Sequence, residues 1–155
     1  MAAHQGLVHI VSNPNHGGSS GTDFTLTNGN FAVKTLNVWI AKGSNGWSDR
    51  DLVKAIEIVW TENTDITVQG SKTDATQHSF TFHDGETVTS MDLWTGDRVD
   101  KISFTTSENR TFTQGGTGGT QYSQQIGIGV LFGFKGSYNS DELVSIGSVF
   151  KESSD

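Results

Sequence analysis

Acidic residues occur in pairs in three turn-rich segments, where two neighbouring carboxylates can carry out acid–base chemistry. The pairs are Asp49/Asp51, Asp97/Asp100 and Asp141/Glu142. A glycoside hydrolase needs two such carboxylates on either side of a cleft that holds its substrate. Each pair here falls at the predicted tip of a hairpin, a convex surface without a pocket that excludes water. The acidic pairs therefore do not predict an enzyme.

Metal and thiol chemistry find little support in the residue types. The chain has no cysteine, which excludes a thiol nucleophile, a disulfide and a cysteine-based zinc site. The five histidines are His4, His9, His16, His78 and His83. None of them has a metal-ligating spacing such as His-Glu-x-x-His. We therefore expect no catalytic residue, no metal and no cofactor.

A glycine-rich segment occurs twice in the chain. The sequence of Gly115–Tyr122, GGTGGTQY, closely repeats that of Gly17–Phe24, GGSSGTDF, and such repetition indicates a repeated architecture. Clustered glycines leave backbone N–H groups uncovered and close to any molecule that docks. They can also serve only to relieve crowding where strands cross. The two loops are thus candidate halves of binding sites.

The bulk composition restricts the class of protein. With 155 residues, we expect a single domain over residues 1–150 and a frayed C-terminal tail over 151–155. The net charge of -7 argues against a nucleic-acid partner. No apolar run is long enough to span a bilayer, and the N-terminus lacks the pattern of a signal peptide. We expect a cytoplasmic protein, or one released without a signal peptide.

The pattern of short alternating runs predicts an all-β domain. The chain contains 19 glycines and a single proline, and no segment has a helical period. The predicted strands form three sets, each with a short aromatic-led strand, a longer strand, a hairpin loop and a closing strand, and each set is expected to form one sheet unit. The sets are 24–26, 33–40 and 52–60; 80–82, 87–94 and 99–104; and 122–123, 126–134 and 143–150. Strands at 7–11 and 66–68 complete the sheets.

The four tryptophans differ in their predicted positions. Trp39, Trp60 and Trp94 lie within predicted strands, and we expect them in the core. Trp47 lies in the turn-rich segment 44–48, so we expect it to be exposed, where its ring can stack on a ligand or a partner.

Taken in order, several segments resemble the jacalin-related lectins. Besides the glycine loops, they are 53–58 (VKAIEI), 85–89 (GETVT), 102–112 (ISFTTSENRTF), 133–136 (GFKG) and 143–147 (LVSIG). The resemblance covers nearly the whole chain. It implies a β-prism I fold of three four-stranded antiparallel Greek-key sheets with pseudo-threefold symmetry.

The family resemblance also implies a binding site. In jacalin-related lectins a sugar is held between a glycine loop and a hairpin that reads Gly-x-x-x-Asp. The middle hairpin, which runs from Gly96 through Asp97, Arg98 and Val99 to Asp100, matches without a gap. Pseudosymmetry pairs it with Gly119, where a side chain would block the sugar ring, while Asp100 accepts hydrogen bonds from two hydroxyls. Outside the family context, such a hairpin is more often turn chemistry.

The site that the family usually occupies departs from this pattern. Its glycine, Gly21, is in place, but the last hairpin puts Val144 where the aspartate belongs. Asp141 is the candidate replacement, with Ser140 beside it and Tyr138 stacking on the sugar face.

The third combination of loops has neither half of the site. Gln77 takes the place of the glycine and Lys54 that of the aspartate. Asp49 or Asp51, from the longer loop over 43–51, is the candidate that would compensate.

The resemblance therefore implies a metal-independent lectin of the mannose- or glucose-binding type. Its partners are expected to be glycans or glycoproteins, with low affinity at each site and avidity from several sites or from a homo-oligomer. The alternative is a β-prism without sugar binding that acts as a protein-interaction or membrane-targeting module.

Overall fold

The structure, a computed structural model, describes residues 9–61 and 66–153, with the side chains of 66–68 left aside. Its strands are β1 (Ile10–Ser12), β2 (His16–Gly17), β3 (Thr22–Leu26), β4 (Val33–Lys42), β5 (Asp51–Trp60), β6 (Ile66–Gly70), β7 (Thr76–Thr81), β8 (Val88–Thr95), β9 (Val99–Thr106), β10 (Thr111–Gly115), β11 (Thr120–Ser123), β12 (Leu131–Tyr138) and β13 (Leu143–Lys151). A short 3₁₀ turn spans Asn45–Trp47. No helix in the described ranges is long and apolar enough to cross a membrane.

The strands form three antiparallel sheets, which confirms the predicted β-prism. The first sheet has the order β1-β13-β12-β3, with the short strand β2 also paired to β13; the second is β6-β5-β4-β7; the third is β10-β9-β8-β11. A long hairpin lies at the centre of each sheet, and a short strand flanks it on either side. In the first sheet, β1 and β2 together fill the position that β6 and β10 hold in the others.

The grouping of strands differs from the predicted sets. Phe24 pairs with Gly136, Phe80 with Leu36 and Tyr122 with Leu93, so each aromatic-led strand joins a different hairpin from the one that follows it in sequence. The reason is the Greek-key path. Consecutive strands such as β10 and β11 lie at opposite edges of one sheet, and the glycine loop between them crosses over the end of the hairpin.

The predicted strand limits need two corrections. The predicted strand over 126–134 begins only at Leu131, because Gly127 and Gly129 have φ values of +56° and +87° and form a turn. Strand β10 was not predicted, although it buries Phe112 in the core. The predicted strand at 66–68 is present as β6, whereas residues 7 and 8 of the first predicted strand lie outside the described ranges.

The domain boundary set at residue 150 falls inside β13, which ends at Lys151. Beyond it, the Glu152 N–H donates a hydrogen bond to the His9 carbonyl, with an N–O distance of 2.7 Å. Residues 154 and 155 of the expected tail lie outside the described ranges.

The three sheets enclose one apolar core. Aromatic rings from the second and third sheets pack with centroid separations of 4.9–5.7 Å: Phe80, Phe82, Phe104 and Phe112. Trp39 and Trp60 are buried as predicted. Trp94, which was also expected in the core, is only half-buried, and the Lys101 Nζ atom lies 4.1 Å from the centre of its ring.

Candidate functional site

Three hairpin loops and three crossing loops gather at one end of the prism, which we call the hairpin end. The hairpin loops are 43–50, 96–98 and 139–142, and the crossing loops are 18–21, 71–75 and 116–119. In each sheet, the first residue of the crossing loop donates its N–H to the carbonyl of a residue near the start of the second hairpin strand. These pairs are Gly18 to Val144 at 3.0 Å, Ser71 to Lys54 at 3.0 Å and Gly116 to Asp100 at 2.8 Å. Val144, Lys54 and Asp100 are therefore equivalent positions.

Asp100 is the only carboxylate among these equivalent residues, and it faces two glycines. Its side chain is 2% exposed. A Cβ atom at Gly119 would lie 2.7 Å from Oδ1, and one at Gly118 would lie 2.7 Å from Oδ2, so a side chain at either position would collide with the carboxylate. Gly119 also has a φ of +86°, a conformation that disfavours residues with a Cβ. We call Asp100, Gly118 and Gly119 the Asp100 cradle.

The Asp100 carboxylate is buried, and one of its two oxygens accepts no hydrogen bond from the described residues. Burial raises the pKa of the Asp100 carboxyl above its ordinary value, and the Arg50 charge and the Gly96 N–H oppose this rise. Oδ2 is buried and has no hydrogen-bond partner in the part of the chain that the structure describes. A buried acceptor without a donor is costly, so a ligand that brings hydroxyl donors would gain from this site.

The other predicted residues of the middle hairpin have different roles. Gly96 lies beside Asp100, and Asp97 is exposed. The Arg98 side chain turns to Glu142, with an Nε–Oε2 distance of 3.0 Å, and its guanidinium lies 4.1 Å from the centre of the Trp47 ring. Val99 is fully buried in the apolar core. The structure thus brings Gly96, Asp100 and Gly119 together and directs the Arg98 and Val99 side chains elsewhere.

The last hairpin holds a buried carboxylate, Glu142, which the sequence indicated only as one half of an acidic pair at a hairpin tip. The Glu142 side chain is fully buried and accepts hydrogen bonds from Ser44 N–H at 3.1 Å, Ser44 Oγ at 2.8 Å, Arg98 Nε at 3.0 Å and Lys54 Nζ at 3.3 Å. Burial by itself would raise the pKa of Glu142, but the donors outweigh it and hold the pKa below its ordinary value. Glu142 therefore ties the three hairpin loops together.

The predicted residues of the last hairpin do not form a cradle like that of Asp100. Asp141 is exposed, and its side chain makes no hydrogen bond or ion pair within the described ranges. Its backbone N–H donates a hydrogen bond to Asn139 Oδ1 at 2.8 Å. Ser140 is exposed at the same tip. Tyr138 packs against Phe24 with a centroid distance of 6.3 Å, and a Cβ at Gly21 would lie 2.6 Å from the Tyr138 carbonyl oxygen.

The two positions equivalent to Asp100 have no carboxylate: one holds the apolar Val144, and the other holds Lys54, whose ammonium group is already hydrogen-bonded. Val144 is fully buried, and its Cγ1 would lie 2.9 Å from a Cβ at Gly18. Lys54 Nζ is bound to the Lys42 carbonyl at 2.9 Å as well as to Glu142. Asp51 pairs with Lys42 Nζ at 3.2 Å. The hairpin end thus offers one carboxylate in a glycine cradle.

A groove of about 280 Å³ runs beside the Asp100 cradle. Its lining residues are Lys42, Asp49, Arg50, Asp51, Gly115, Gly116, Thr117 and Gly118. Sequence reasoning did not single out Arg50, whose Nη2 lies 3.1 Å from Asp100 Oδ2. The one available signal was the extra length of the loop that carries it.

The opposite end of the prism holds an acidic cluster that is already satisfied. The buried Glu86 carboxylate accepts hydrogen bonds from the Arg110 guanidinium and Thr106 Oγ1, and these donors lower its pKa to about 2. His83 Nδ1 lies 2.6 Å from Glu108 Oε1. With both of its oxygens engaged, Glu86 has no free acceptor for a metal ion and no proton to donate near neutral pH.

The comparisons with known proteins agree with this architecture. The family model of the jacalin-like lectin domain matches residues 13–149, and the chain belongs to that family. A search of curated protein sequences finds no match.

Solved structures with the same fold are similar over most of this chain. Lamprey immune protein has a TM-score of 0.76 and 26% identity over 95% of this chain. Malaysian banana lectin has a TM-score of 0.69 and 24% identity, covering 92% of this chain and 96% of its own. A mannose-binding jacalin-related lectin from Ananas comosus has a TM-score of 0.71 and 18% identity, covering 92% and 98%. The chain spans 44% of the lamprey protein.

Proposed function

We propose that this domain is a metal-independent, non-enzymatic lectin whose working site is the Asp100 cradle. The observation that carries the proposal is the buried Asp100 carboxylate, which faces Gly118 and Gly119 and whose Oδ2 accepts no hydrogen bond from the residues that the structure describes. Two adjacent sugar hydroxyls can donate to the two carboxylate oxygens, and such charge-assisted hydrogen bonds are the strong ones. The glycines let the ring approach because they lack side chains.

The ligand class we propose is a mannose- or glucose-type sugar. Two proteins of similar structure support this choice. One is a mannose-binding lectin from Ananas comosus, and the other is artocarpin, whose structure was solved in complex with mannotriose. Affinity at a single site should be on the order of millimolar, roughly -4 kcal/mol, because exposed hydroxyl bonds exchange with water at little net gain. Useful binding strength would come from several copies acting together.

Replacement of two hairpin aspartates tests the location of the site. We expect Asp100→Asn to weaken binding of methyl α-mannoside by at least about tenfold, because the amide removes the charge and one acceptor. Asp141→Asn is the matched control, and it should leave the dissociation constant within about twofold of the wild-type value. Both constants can be measured by NMR titration. A larger loss for Asp141→Asn would move the site to the last hairpin.

A second candidate function is a β-prism that docks on a protein or membrane without binding sugar. The observation that favours it is Val144, a fully buried apolar residue at the position equivalent to Asp100 beside the first glycine loop. Liposome flotation with and without glycosylated lipids separates the two functions. Equal binding to liposomes with and without the glycosylated lipid would support the docking module, and binding only to liposomes that carry it would support the lectin.

A further inference from the structure

The guanidinium of Arg50 lies inside the Asp100 cradle. Its Nη2 is 3.1 Å from Asp100 Oδ2, and a Cβ atom at Gly118 would overlap this guanidinium. The space between Gly118 and the carboxylate, which the proposed function assigns to the ligand, therefore contains a side chain of the protein itself. A sugar cannot reach both carboxylate oxygens while Arg50 keeps this position.

Arg50 is held in the cradle mainly by charge. Its backbone is fixed, since the Arg50 carbonyl accepts from Gly43 N–H at 3.0 Å and its N–H donates to the Trp47 carbonyl at 3.1 Å. The side chain is 38% exposed and donates no hydrogen bond to the residues that the structure describes, so the ion pair leaves Oδ2 without a donor. A charge contact with a half-exposed partner is weak and easily exchanged.

We propose that Arg50 is a built-in competitor for the sugar, which covers the Asp100 carboxylate in the empty site and must leave before a ligand binds. The inference rests on the proposed function, since it names the residue that limits affinity and access at that same site. In the empty cradle the Arg50 charge offsets part of the cost of burying the Asp100 carboxylate. Arg50 supplies a positive charge at Oδ2, and an entering sugar supplies the hydroxyl donors that Arg50 does not.

Removal of the competitor should improve binding. We expect Arg50→Ala to bind methyl α-mannoside about fivefold more tightly than the wild type. The sugar no longer has to break the ion pair, and a weak ion pair contributes a free energy of about this size. Lys42→Ala is the matched control, because it removes the same charge from the same groove but Lys42 pairs with Asp51. Its dissociation constant should stay near the wild-type value. In an Asp100→Asn background, Arg50→Ala should give no gain.

A second readout needs no sugar. Because Arg50 opposes the rise in the Asp100 pKa, Arg50→Ala should raise that pKa further when the carboxyl is titrated by NMR, and Lys42→Ala should not. An unchanged pKa would overturn the inference by showing that the contact does not form.

The outcomes separate the two proposals. If the wild type binds mannoside but Arg50→Ala gives no gain or binds more weakly, the role of Arg50 is wrong and the lectin function stands. An equal gain in Lys42→Ala would also overturn the inference, because it would reveal a general effect of charge. If the Asp100 pKa rises but no variant binds the sugar, the proposed function fails and the competitor role fails with it.

Discussion

Glu142→Ala should lower the free energy of unfolding by about 3–5 kcal/mol, the usual cost of removing one partner from a buried ion pair. Without the carboxylate, the buried Lys54 ammonium and the largely buried Arg98 guanidinium, with side-chain exposures of 8% and 13%, lose their counter-charge. Ser44 loses both of its hydrogen bonds to the same group. Urea unfolding at neutral pH measures the change.

The adjacent acid provides the control for this prediction. Asp141 is exposed, and its side chain has no hydrogen bond or ion pair in the described ranges, so Asp141→Ala should change the free energy of unfolding by no more than about 0.5 kcal/mol. Both variants remove one negative charge from neighbouring positions. Equal and small effects would contradict the view that Glu142 holds the hairpin end together.

Gly119→Ala should abolish measurable mannoside binding while the protein stays folded. The added Cβ would lie 2.7 Å from Asp100 Oδ1 and 2.9 Å from the Thr95 nitrogen, so the carboxylate must move or the loop must shift. The positive φ adds a backbone cost of about 1–2 kcal/mol. NMR titration should find no saturation at concentrations that fill the wild-type site, because the donor and acceptor positions no longer match the ligand.

Gly85→Ala isolates the steric part of this effect. Gly85 has a similar φ of +78°, but no atom of the described residues outside its own turn neighbours lies within 4 Å of an added Cβ, and its turn is remote from the hairpin end. This variant should lose similar backbone free energy and bind mannoside as the wild type does. If Gly119→Ala also binds normally, the Asp100 cradle does not hold the sugar.

The all-β class was predictable because its determinants are local and repeated, whereas the β-prism was implied by the family resemblance. Alternating runs such as 99–104 and the duplicated glycine loops indicate strands and crossings without knowledge of distant contacts. The grouping of strands was not predictable in the same way, because pairing of Tyr122 with Leu93 depends on the path of the glycine loop over a hairpin. That path is a property of the whole sheet.

The sequence predicted the residues of the candidate site only at positions where the residue type alone shows whether a sugar can bind. Gly119 and Asp100 follow from the spacing of the family motif. Asp141 and Glu142 are adjacent acids in a loop, and the sequence does not tell which side chain turns inward, because the answer depends on Lys54, Arg98 and Ser44 from other hairpins. Arg50 was not predicted for the same reason, because its contact with Asp100 is between residues of two different sheets.

An amide NMR map of the wild-type protein during titration with methyl α-mannoside tests the central claim most directly. We expect the largest shift changes at residues 96–100 and 116–119, around Asp100 and its glycine loop, with small changes at 17–21 and 138–144. Changes concentrated in 17–21 and 138–144 would contradict the account by placing the sugar at the last hairpin. An unchanged spectrum at sugar concentrations far above the millimolar range would contradict binding of this sugar class at the Asp100 cradle.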